Sequence, residues 1–354
     1  MTTRVADTSG RRAFEVQADH CTRMNAPFTA RLCLTLADIL DDTSALGRRV
    51  LAWPRDNRIG DLVPLRCCAG LHRLARDGRV PAMSAVYPPA ESDDETLRDA
   101  LVAAIAAEDT FLAGYLDSPP QTNEVGRSAI LLGGLLRLAE DVRLPFALHE
   151  IGASAGLNML FQRWCYVLGD AGSFGAPDAP VTIACPWAGN APSPSKPFEI
   201  ASRRASDLAP LDPGRPDHRE RLLSYIWPEQ TERLERIAAA LDVAAADSLR
   251  VEKADARAWL GDALAPGAAK DRVCTVLFHS VFIQYLDPAP RAALVADILA
   301  RGASATEQKP FAWLRMEASE TDKQRCELRL TLWPGGEDRA LADVDWHGRR
   351  AHWH

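Results

Sequence analysis

The sequence predicts an α/β protein: an all-helical N-terminal domain followed by a largely parallel sheet that ends in an antiparallel hairpin. Two observations predict this class. Before about residue 143 apolar residues recur at helical spacing, and beyond it short apolar runs alternate with amphipathic stretches, which is typical of βαβ units. We therefore expect a helical domain over residues 1–143 and an α/β domain over residues 144–354.

The helical part is predicted from spacing and from the residues that end helices. Phe14, Ala18 and Cys21 lie four and three residues apart, which is the spacing of one helix face. Glycine or proline follows each of the longer stretches, and helices commonly end at these residues. The expected helices lie around residues 14–21 and 32–40 and over residues 62–77, 95–116 and 124–142.

The second part contains the strands. Apolar runs predict strands over residues 146–151, 249–252, 273–279 and 311–316, and amphipathic stretches predict helices over residues 156–167, 228–246, 254–264 and 290–301. Parallel strands need helical crossovers of this kind. The Pro-, Gly- and Ser-rich stretch 169–216 predicts a long connection with short extended pieces at 181–185 and 198–201. Alternation over 326–333, a Pro-Gly-Gly turn and an extended run over 340–353 predict the hairpin.

Composition excludes several classes of protein. The chain has 354 residues, of which 47% are hydrophobic and 25% charged, so it is neither a disordered chain nor a coiled-coil rod. A net charge of −7 disfavours a large nucleic-acid surface, since phosphates require concentrated positive charge. No apolar run approaches the ~20 residues of a membrane helix. We expect a cytoplasmic protein without a membrane or nucleic-acid partner; the oligomeric state stays open.

Cysteine and histidine positions predict no metal site. The eight cysteines are scattered through apolar stretches rather than paired as Cys-x-x-Cys, which indicates buried thiols. His347, His352 and His354 lie on the final extended run, without a nearby cysteine or acid at ligand spacing. We expect these histidines to be surface residues.

The most informative pattern lies at residues 145–158. A predicted strand ends at Glu150, and Gly152, Ser154 and Gly156 form a tight turn after it. Glycines at such a turn let the backbone approach a ligand closely. A carboxylate here would repel a pyrophosphate but suits a cationic ligand, such as a sulfonium with its amino group. Alternatively, the glycines only permit close packing of a strand and a helix.

This acid-x-Gly-x-Ser-x-Gly pattern resembles the first motif of the class I S-adenosylmethionine-dependent methyltransferases, in which the middle position is also glycine. The phrases Gly-Ala-Ser-Ala-Gly-Leu-Asn at 152–158 and Gln-Thr-Asn-Glu-Val-Gly-Arg at 121–127 resemble more specifically an uncharacterised bacterial family that carries both. The resemblance covers nearly the whole chain. It implies a class I methyltransferase-like, Rossmann-like fold, with S-adenosylmethionine as the cofactor.

The resemblance also implies a set of cofactor-binding residues. In such folds the second strand ends in an acid that holds the ribose, a role for which Asp207 is preferred to Asp212, and an acid after the third strand meets the adenine. Capping a turn or a helix is the alternative role of these acids. The implied set is Glu150, Gly152, Ala153, Ser154, Gly156, Asn158, Asp207, Asp255 and Ala256.

Candidate catalytic and substrate residues lie on two other segments. His279 ends a predicted strand, where ligands bind in open α/β sheets, and imidazole is the side chain best suited to exchange protons at physiological pH, so His279 is the predicted general base. The alternative is a histidine bonded to a loop carbonyl. The segment 121–127 opens the helix that directly precedes the predicted cofactor strand, and it combines amides, an acid and an arginine; the alternative is that Thr122 or Asn123 only caps that helix. The resemblance implies that helical additions ahead of such a core close over the site, so the domain over residues 1–143 is expected to act as a lid or substrate domain. The predicted substrate contacts are Gln121, Asn123, Glu124, Arg127 and Tyr285.

Together these features predict a methyltransferase that uses S-adenosylmethionine and acts on a small molecule. One alternative is a serine hydrolase, because Gly152-Ala-Ser-Ala-Gly156 fits the Gly-x-Ser-x-Gly nucleophile elbow. Ser154 would then be the nucleophile, with His279 or His347 as its base. Too few predicted strands precede the motif for that fold. The other alternative is a non-catalytic ligand-binding protein on the same fold, since a fold does not fix a function.

Overall fold

The computed structural model describes residues 8–54, 57–195, 198–265 and 267–354. The chain forms two compact units. The first consists of Met1–Thr122 and Asp217–Glu235, and the second of Asn123–Pro216 and Arg236–His354. The prediction of a mixed α/β protein with a largely parallel sheet is confirmed.

The first unit is built from helices, whose ends follow capping rules. The Ser44 side chain accepts a hydrogen bond from the Gly47 N–H at the start of α3, and Asp93 accepts one from the Thr96 N–H at the start of α6. Gly78 ends α4 in the left-handed conformation. The helices that lie in or reach into this unit are α1 Thr8–Arg23, α2 Pro27–Ile39, α3 Ala45–Ala52, α4 Val63–Asp77, α5 Pro81–Val86, α6 Asp94–Tyr115, α8 Pro216–Ser224 and α9 Thr231–Ala246.

The helices predicted for this region are present, and three short ones were missed. α3, α5 and α8 have eight, six and nine residues, too few for a helical period to stand out in the sequence. The core is formed mainly by aliphatic side chains such as Leu32 and Leu71, which are fully buried.

The second unit contains a nine-stranded sheet in the order β5-β12-β11-β10-β9-β8-β1-β6-β7 and a three-stranded sheet in the order β3-β2-β4. The strands are β1 Phe146–Ile151, β2 Cys165–Val167, β3 Ser173–Phe174, β4 Thr182–Ala184, β5 Trp187–Gly189, β6 Ile200–Asp207, β7 Val251–Lys253, β8 Cys274–Ser280, β9 Phe311–Ala318, β10 Cys326–Trp333, β11 Glu337–Val344 and β12 Ala351–Trp353. Its helices are α7 Arg127–Asp141, α10 Ala256–Ala263 and α11 Pro288–Ala303.

Five neighbouring strands of the large sheet are parallel: β7, β6, β1, β8 and β9. Counted along the chain among themselves, their spatial order is 3-2-1-4-5. The order reverses between β1 and β8, and ligands of open α/β sheets bind outside the carboxyl ends of the strands at such a point.

The antiparallel end of the sheet agrees with the predicted hairpin. β10 pairs antiparallel with β11 across a turn that contains Gly335 and Gly336. The second extended run is longer than one strand, because a turn at residues 345–350 divides it into β11 and β12. β12 then pairs with β5, which lies in the predicted long connection.

The helix predicted over residues 156–167 is wrong. A 3-10 helix occupies Leu157–Arg163, and β2 follows it. Residues 157–161 are all buried, so this stretch has no polar face of the kind that an amphipathic α-helix turns to solvent. The neighbouring β6 is longer than the extended piece predicted at 198–201 and runs on to Asp207.

α7 belongs to the sheet unit. A Cβ atom on Gly134 would lie 2.5 Å from the Leu314 side chain of β9, and one on Gly133 would lie 2.2 Å from the Trp353 ring of β12. These glycines let the helix approach the sheet closely. The compact units therefore divide at residue 122/123, ahead of α7, whereas the sequence indicates a change at 143/144.

Two further properties concern the whole described chain. All eight cysteines are free and buried, as predicted. Among the described residues, the helices are too short or too polar to cross a bilayer.

Candidate functional site

The loop after β1 has an unusual backbone. Gly152, Ser154 and Gly156 have φ values of 69°, 54° and 75°, so every second residue is left-handed. This region is open to glycine but costs other residues roughly 1 kcal/mol or more. Ser154 thus adopts the conformation that a glycine would take at the middle position. Non-glycine residues held in this way are concentrated at functional sites.

Two acids end neighbouring strands beside this loop. Glu150 lies opposite Ala205 of β6 and Phe278 of β8 in the strand register. Side chains alternate between the faces of a sheet, so Glu150 shares its face with Asp207 and Ser280. The sheet therefore brings both predicted acids to one face of its carboxyl edge.

Asp207 is bound to the loop itself. Its Oδ2 accepts a hydrogen bond of 2.8 Å from the Ser154 N–H, and its Oδ1 accepts one of 2.8 Å from the Ala209 N–H. Each carboxylate oxygen has lone pairs left for a further donor. Asp212, the alternative ribose acid, instead accepts from the Gly214 N–H.

Glu150 is buried without a full set of partners. Glu150 is 1% exposed. Among the described residues, no group donates a hydrogen bond to its Oε2. Burial raises its pKa well above the ordinary value, and the nearby Asp207 charge raises it further, whereas Arg127 acts in the opposite direction. A buried polar atom without a partner requires an explanation, and a missing cationic ligand is one.

Asn123 positions the loop rather than capping a helix. α7 begins at Arg127 with Gly126 as its N-cap, so the helix predicted from Glu124 starts later. The Asn123 Oδ1 accepts hydrogen bonds from the Ala155 and Leu157 N–H groups at 3.2 and 2.8 Å. It thereby holds the second half of the loop.

The other residues of this segment are also engaged in the protein. The Glu124 Oε1 accepts from the Gly126 N–H at 2.9 Å and lies 3.8 Å from the Arg236 Nη2. The Arg127 Nε and Nη1 donate to the carbonyls of Trp346 and Ser280 at 2.9 and 3.2 Å. Arg127 therefore ties α7 to the end of β8 and to the turn between β11 and β12. Gln121 belongs to the first unit.

His279 lies on the opposite face of the sheet from Glu150. Its Nδ1 is 2.7 Å from the Glu317 Oε1, and its Nε2 accepts a hydrogen bond of 3.0 Å from the Trp313 Nε1. The residue is fully buried. The Glu317 Oε1 also accepts from the Phe282 and Ile283 N–H groups. Since both ring nitrogens are engaged, the imidazole positions the loop after β8 and offers no nitrogen to a substrate.

The remaining predicted residues have individual environments. Ala153 donates its N–H to the Ser206 carbonyl, and Asn158 accepts from the Ser128 hydroxyl. Asp255 caps α10, in which Ala256 is the first residue, and its Oδ1 accepts from two N–H groups of that helix. Tyr285 is 68% exposed on a short 3-10 helix after β8.

A pocket of about 140 Å³ lies beside the end of the loop after β1, which we call the glycine loop. Gly156, Leu211 and Val251 line it, together with the acid Asp212. Neither Glu150 nor Asp207 lines this pocket. Asp212 thus lines this pocket, whereas Asp207 is bonded to the loop after β1.

Comparison with protein families matches residues 11–353 to a family described as an uncharacterised protein conserved in bacteria, DUF2332. The chain belongs to this family. A comparison with curated proteins found no match. The bacterial family expected from the two phrases is thereby confirmed at the level of the family.

In this DUF2332 chain, sequence reasoning missed Phe282. A Cβ atom on Gly152 would lie 2.3 Å from the Phe282 ring, so this ring packs directly on the first glycine of the loop. Ser206 was missed as well. Its hydroxyl is buried one residue before Asp207 and has no partner among the described residues. A position next to a predicted strand-end acid is the signal that would have found it.

Proposed function

We propose that this protein is a methyltransferase that uses S-adenosylmethionine and acts on a small molecule. The observation that carries the proposal is a pair of acids, Glu150 and Asp207, at the carboxyl ends of the adjacent strands β1 and β6. Both lie beside the loop after β1, in which every second residue has a positive φ value. The 3-2-1-4-5 order of the parallel strands supports it, because the pair lies next to the point where the order reverses.

The residues present fit this cofactor. The α-ammonium of its methionine part would give the Glu150 Oε2 the donor that the protein does not supply. Asp207, with acceptor capacity left beside the loop, would take the ribose hydroxyls. Asp255 keeps its proposed role at the adenine, with one oxygen engaged in capping α10. S-adenosylmethionine supplies an electrophilic methyl group when bound.

The chain's own contribution to such a reaction is positioning. Asn123 and Asp207 fix the loop through its N–H groups, and the His279–Glu317 pair fixes the loop after β8. Methyl transfer depends mainly on holding the acceptor in line with the methyl group. His279 acts here as a positioning residue, so we propose no general base on this chain.

The hydrolase alternative finds less support in the geometry. A nucleophile elbow needs a histidine hydrogen-bonded to the serine. The Ser154 hydroxyl is buried without a partner among the described residues, and His279 lies on the other face of the sheet. A fluorophosphonate probe that labels Ser154 would revive this alternative.

Isothermal titration calorimetry with S-adenosylmethionine, S-adenosylhomocysteine and NAD tests the proposal. We expect heat with both sulfur ligands and none with NAD. Glu150→Gln should weaken binding tenfold or more, roughly 1.4 kcal/mol, whereas the exposed Glu199→Gln should leave it unchanged. Because the pKa of Glu150 is raised, binding of a cation there should release protons, which titrations in two buffers measure.

Absence of heat with both sulfur ligands at high micromolar concentration would contradict the proposal. An unchanged affinity in Glu150→Gln would mean that the pocket lies elsewhere. Binding without methyl transfer to any of a panel of small acceptors would favour the non-catalytic binding protein on the same site.

A further inference from the structure

A second polar cluster lies in the first unit and has no part in the proposed function. It consists of Arg66 on α4, Tyr115 at the end of α6, Arg221 on α8 and Tyr225 directly after α8. The Arg221 guanidinium carbon lies 5.3 Å from the centre of the Tyr115 ring and 5.7 Å from that of Tyr225. The guanidinium therefore packs against two aromatic rings, which stabilise a cation in part.

Two donors of this cluster are buried without an acceptor. Neither the Arg221 Nη2 nor the Tyr225 hydroxyl has a hydrogen-bond partner among the described residues. Tyr225 is 7% exposed, and burial raises its pKa, so the hydroxyl stays protonated and acts as a donor. Tyr115 differs, because its hydroxyl bonds with that of Ser224. What the cluster lacks is an acceptor.

The cluster also carries positive charge. Arg66 is 7% exposed and donates to the backbone carbonyls of Asp61 and Leu116. Arg66 and Arg221 both act electrostatically on Tyr225. A guanidinium only donates hydrogen bonds, so this pair adds charge and no acceptor.

The nearby acids are already engaged. The Asp61 Oδ2 accepts from the Trp53 Nε1 at 2.8 Å. Asp77 pairs with Arg73 at 2.7 Å, and Glu220 pairs with Arg76 at 2.7 Å. Among the described residues no acid forms an ion pair with Arg221, whose guanidinium contacts the two aromatic rings.

We propose that this cluster is a binding site for an oxyanion, a carboxylate or phosphate group of a small molecule. An oxyanion offers several acceptor lone pairs to the Arg221 Nη2 and the Tyr225 hydroxyl together, and its charge balances the two guanidinium groups. A water molecule would satisfy the donors but leave the charge. The site is independent of the acids at the sheet edge.

Calorimetry on the full chain with inorganic phosphate and, separately, with acetate tests this site, at an ionic strength held constant with sodium chloride. We expect saturable binding of at least one anion. Arg221→Gln should weaken it at least tenfold, and Tyr225→Phe several-fold. Arg98→Gln, on the exposed face of α6, is the matched control for charge. Tyr87→Phe removes another buried hydroxyl without a partner in the same unit and is the control for the phenol.

Saturation with phosphate alone identifies a phosphate site, and saturation with acetate alone identifies a carboxylate site. Absence of saturable binding with both anions overturns the proposal, as does equal weakening in Arg221→Gln and Arg98→Gln. If Arg221→Gln fails to fold, the comparison of Tyr225→Phe with Tyr87→Phe decides, and equal affinities of these two variants overturn the proposal.

Discussion

Glu150 on β1 and Glu317 on β9 are both buried near the carboxyl edge of the sheet, on either side of β8, and their surroundings differ. The Glu317 Oε1 accepts hydrogen bonds from His279 and from two backbone N–H groups. Among the described residues no comparable donors reach Glu150, whose pKa is raised, although the Oε2 of each acid is buried without a partner there. Glu317 thus organises the loop after β8 through protein donors, whereas Glu150 is the acid for which we propose a ligand.

Glu317→Ala should have the largest effect on stability. It leaves the His279 Nδ1 and the Phe282 and Ile283 N–H groups without their acceptor, and because each buried donor left unsatisfied costs about 1–3 kcal/mol, we expect a loss of about 3–5 kcal/mol. Urea unfolding measures the loss. The exposed Glu320→Ala should change stability by less than about 0.5 kcal/mol. A similarly small change in Glu317→Ala would show that the network does not organise this edge.

Low pH should lower the stability of the protein through His149, which lies on the same face of the sheet as Glu317. Burial lowers the pKa of His149 to about 4, below the ordinary 6.5 of the unfolded chain. Between these values the unfolded state binds the proton first, so stability falls as the pH drops from 6.5 to 4. This difference in the pKa of His149 corresponds to a loss of about 3 kcal/mol in the free energy of unfolding. The stability of His149→Gln should depend less on pH in this window, and parallel curves for both proteins would contradict the assignment.

Glu150→Gln should change stability in the opposite direction from Glu317→Ala. A folded pKa above the unfolded value means that the stabilising contribution of Glu150 is present at low pH and is lost as the pH rises through the folded pKa. Glutamine removes this loss, so the variant should gain about 1 kcal/mol at pH 8 and less at pH 5. Thermal unfolding at both pH values checks the sign. If Glu150→Gln were destabilised at pH 8, Glu150 would be an acid that stabilises the fold, as Glu317 is.

Ser154→Gly should give the smallest effect. Glycine removes the cost of a left-handed serine but adds freedom to the unfolded chain, which leaves a gain of about 0.5–1 kcal/mol. The exposed Ser248→Gly should be neutral or slightly destabilised in the same urea unfolding measurement. A loss in Ser154→Gly would indicate that the serine hydroxyl makes a stabilising contact.

The apolar run 146–151 predicted the position of Glu150 near the end of a strand, whereas only the resemblance implied such a position for Asp207, because the extended piece predicted at 198–201 stops short of it. It could not predict the partners of His279. Trp313 and Glu317 lie 34 and 38 residues further along the chain, and no local spacing indicates such a bond. The face to which His279 points depends on register, which a pattern fixes only when one face is polar; here all of β8 is buried.

The 3-10 helix after the glycine loop shows the limit of periodicity. Residues 157–161 contain apolar side chains at spacings that also fit an α-helix, yet the whole stretch is buried. The hydrogen bonds that Asn123 accepts from the Ala155 and Leu157 N–H groups come from a segment more than 30 residues upstream. Propensity does not contain such long-range contacts.

The hydrogen bond from Arg127 to the Trp346 carbonyl joins residues 219 positions apart. During synthesis, α7 and the first strand leave the ribosome long before this acceptor exists. Arg127, which also bonds the end of β8, can therefore reach its final arrangement only after residue 346 has been synthesised. Contacts of such separation form late and slow folding. Until then α7 lacks its tie to the turn between β11 and β12.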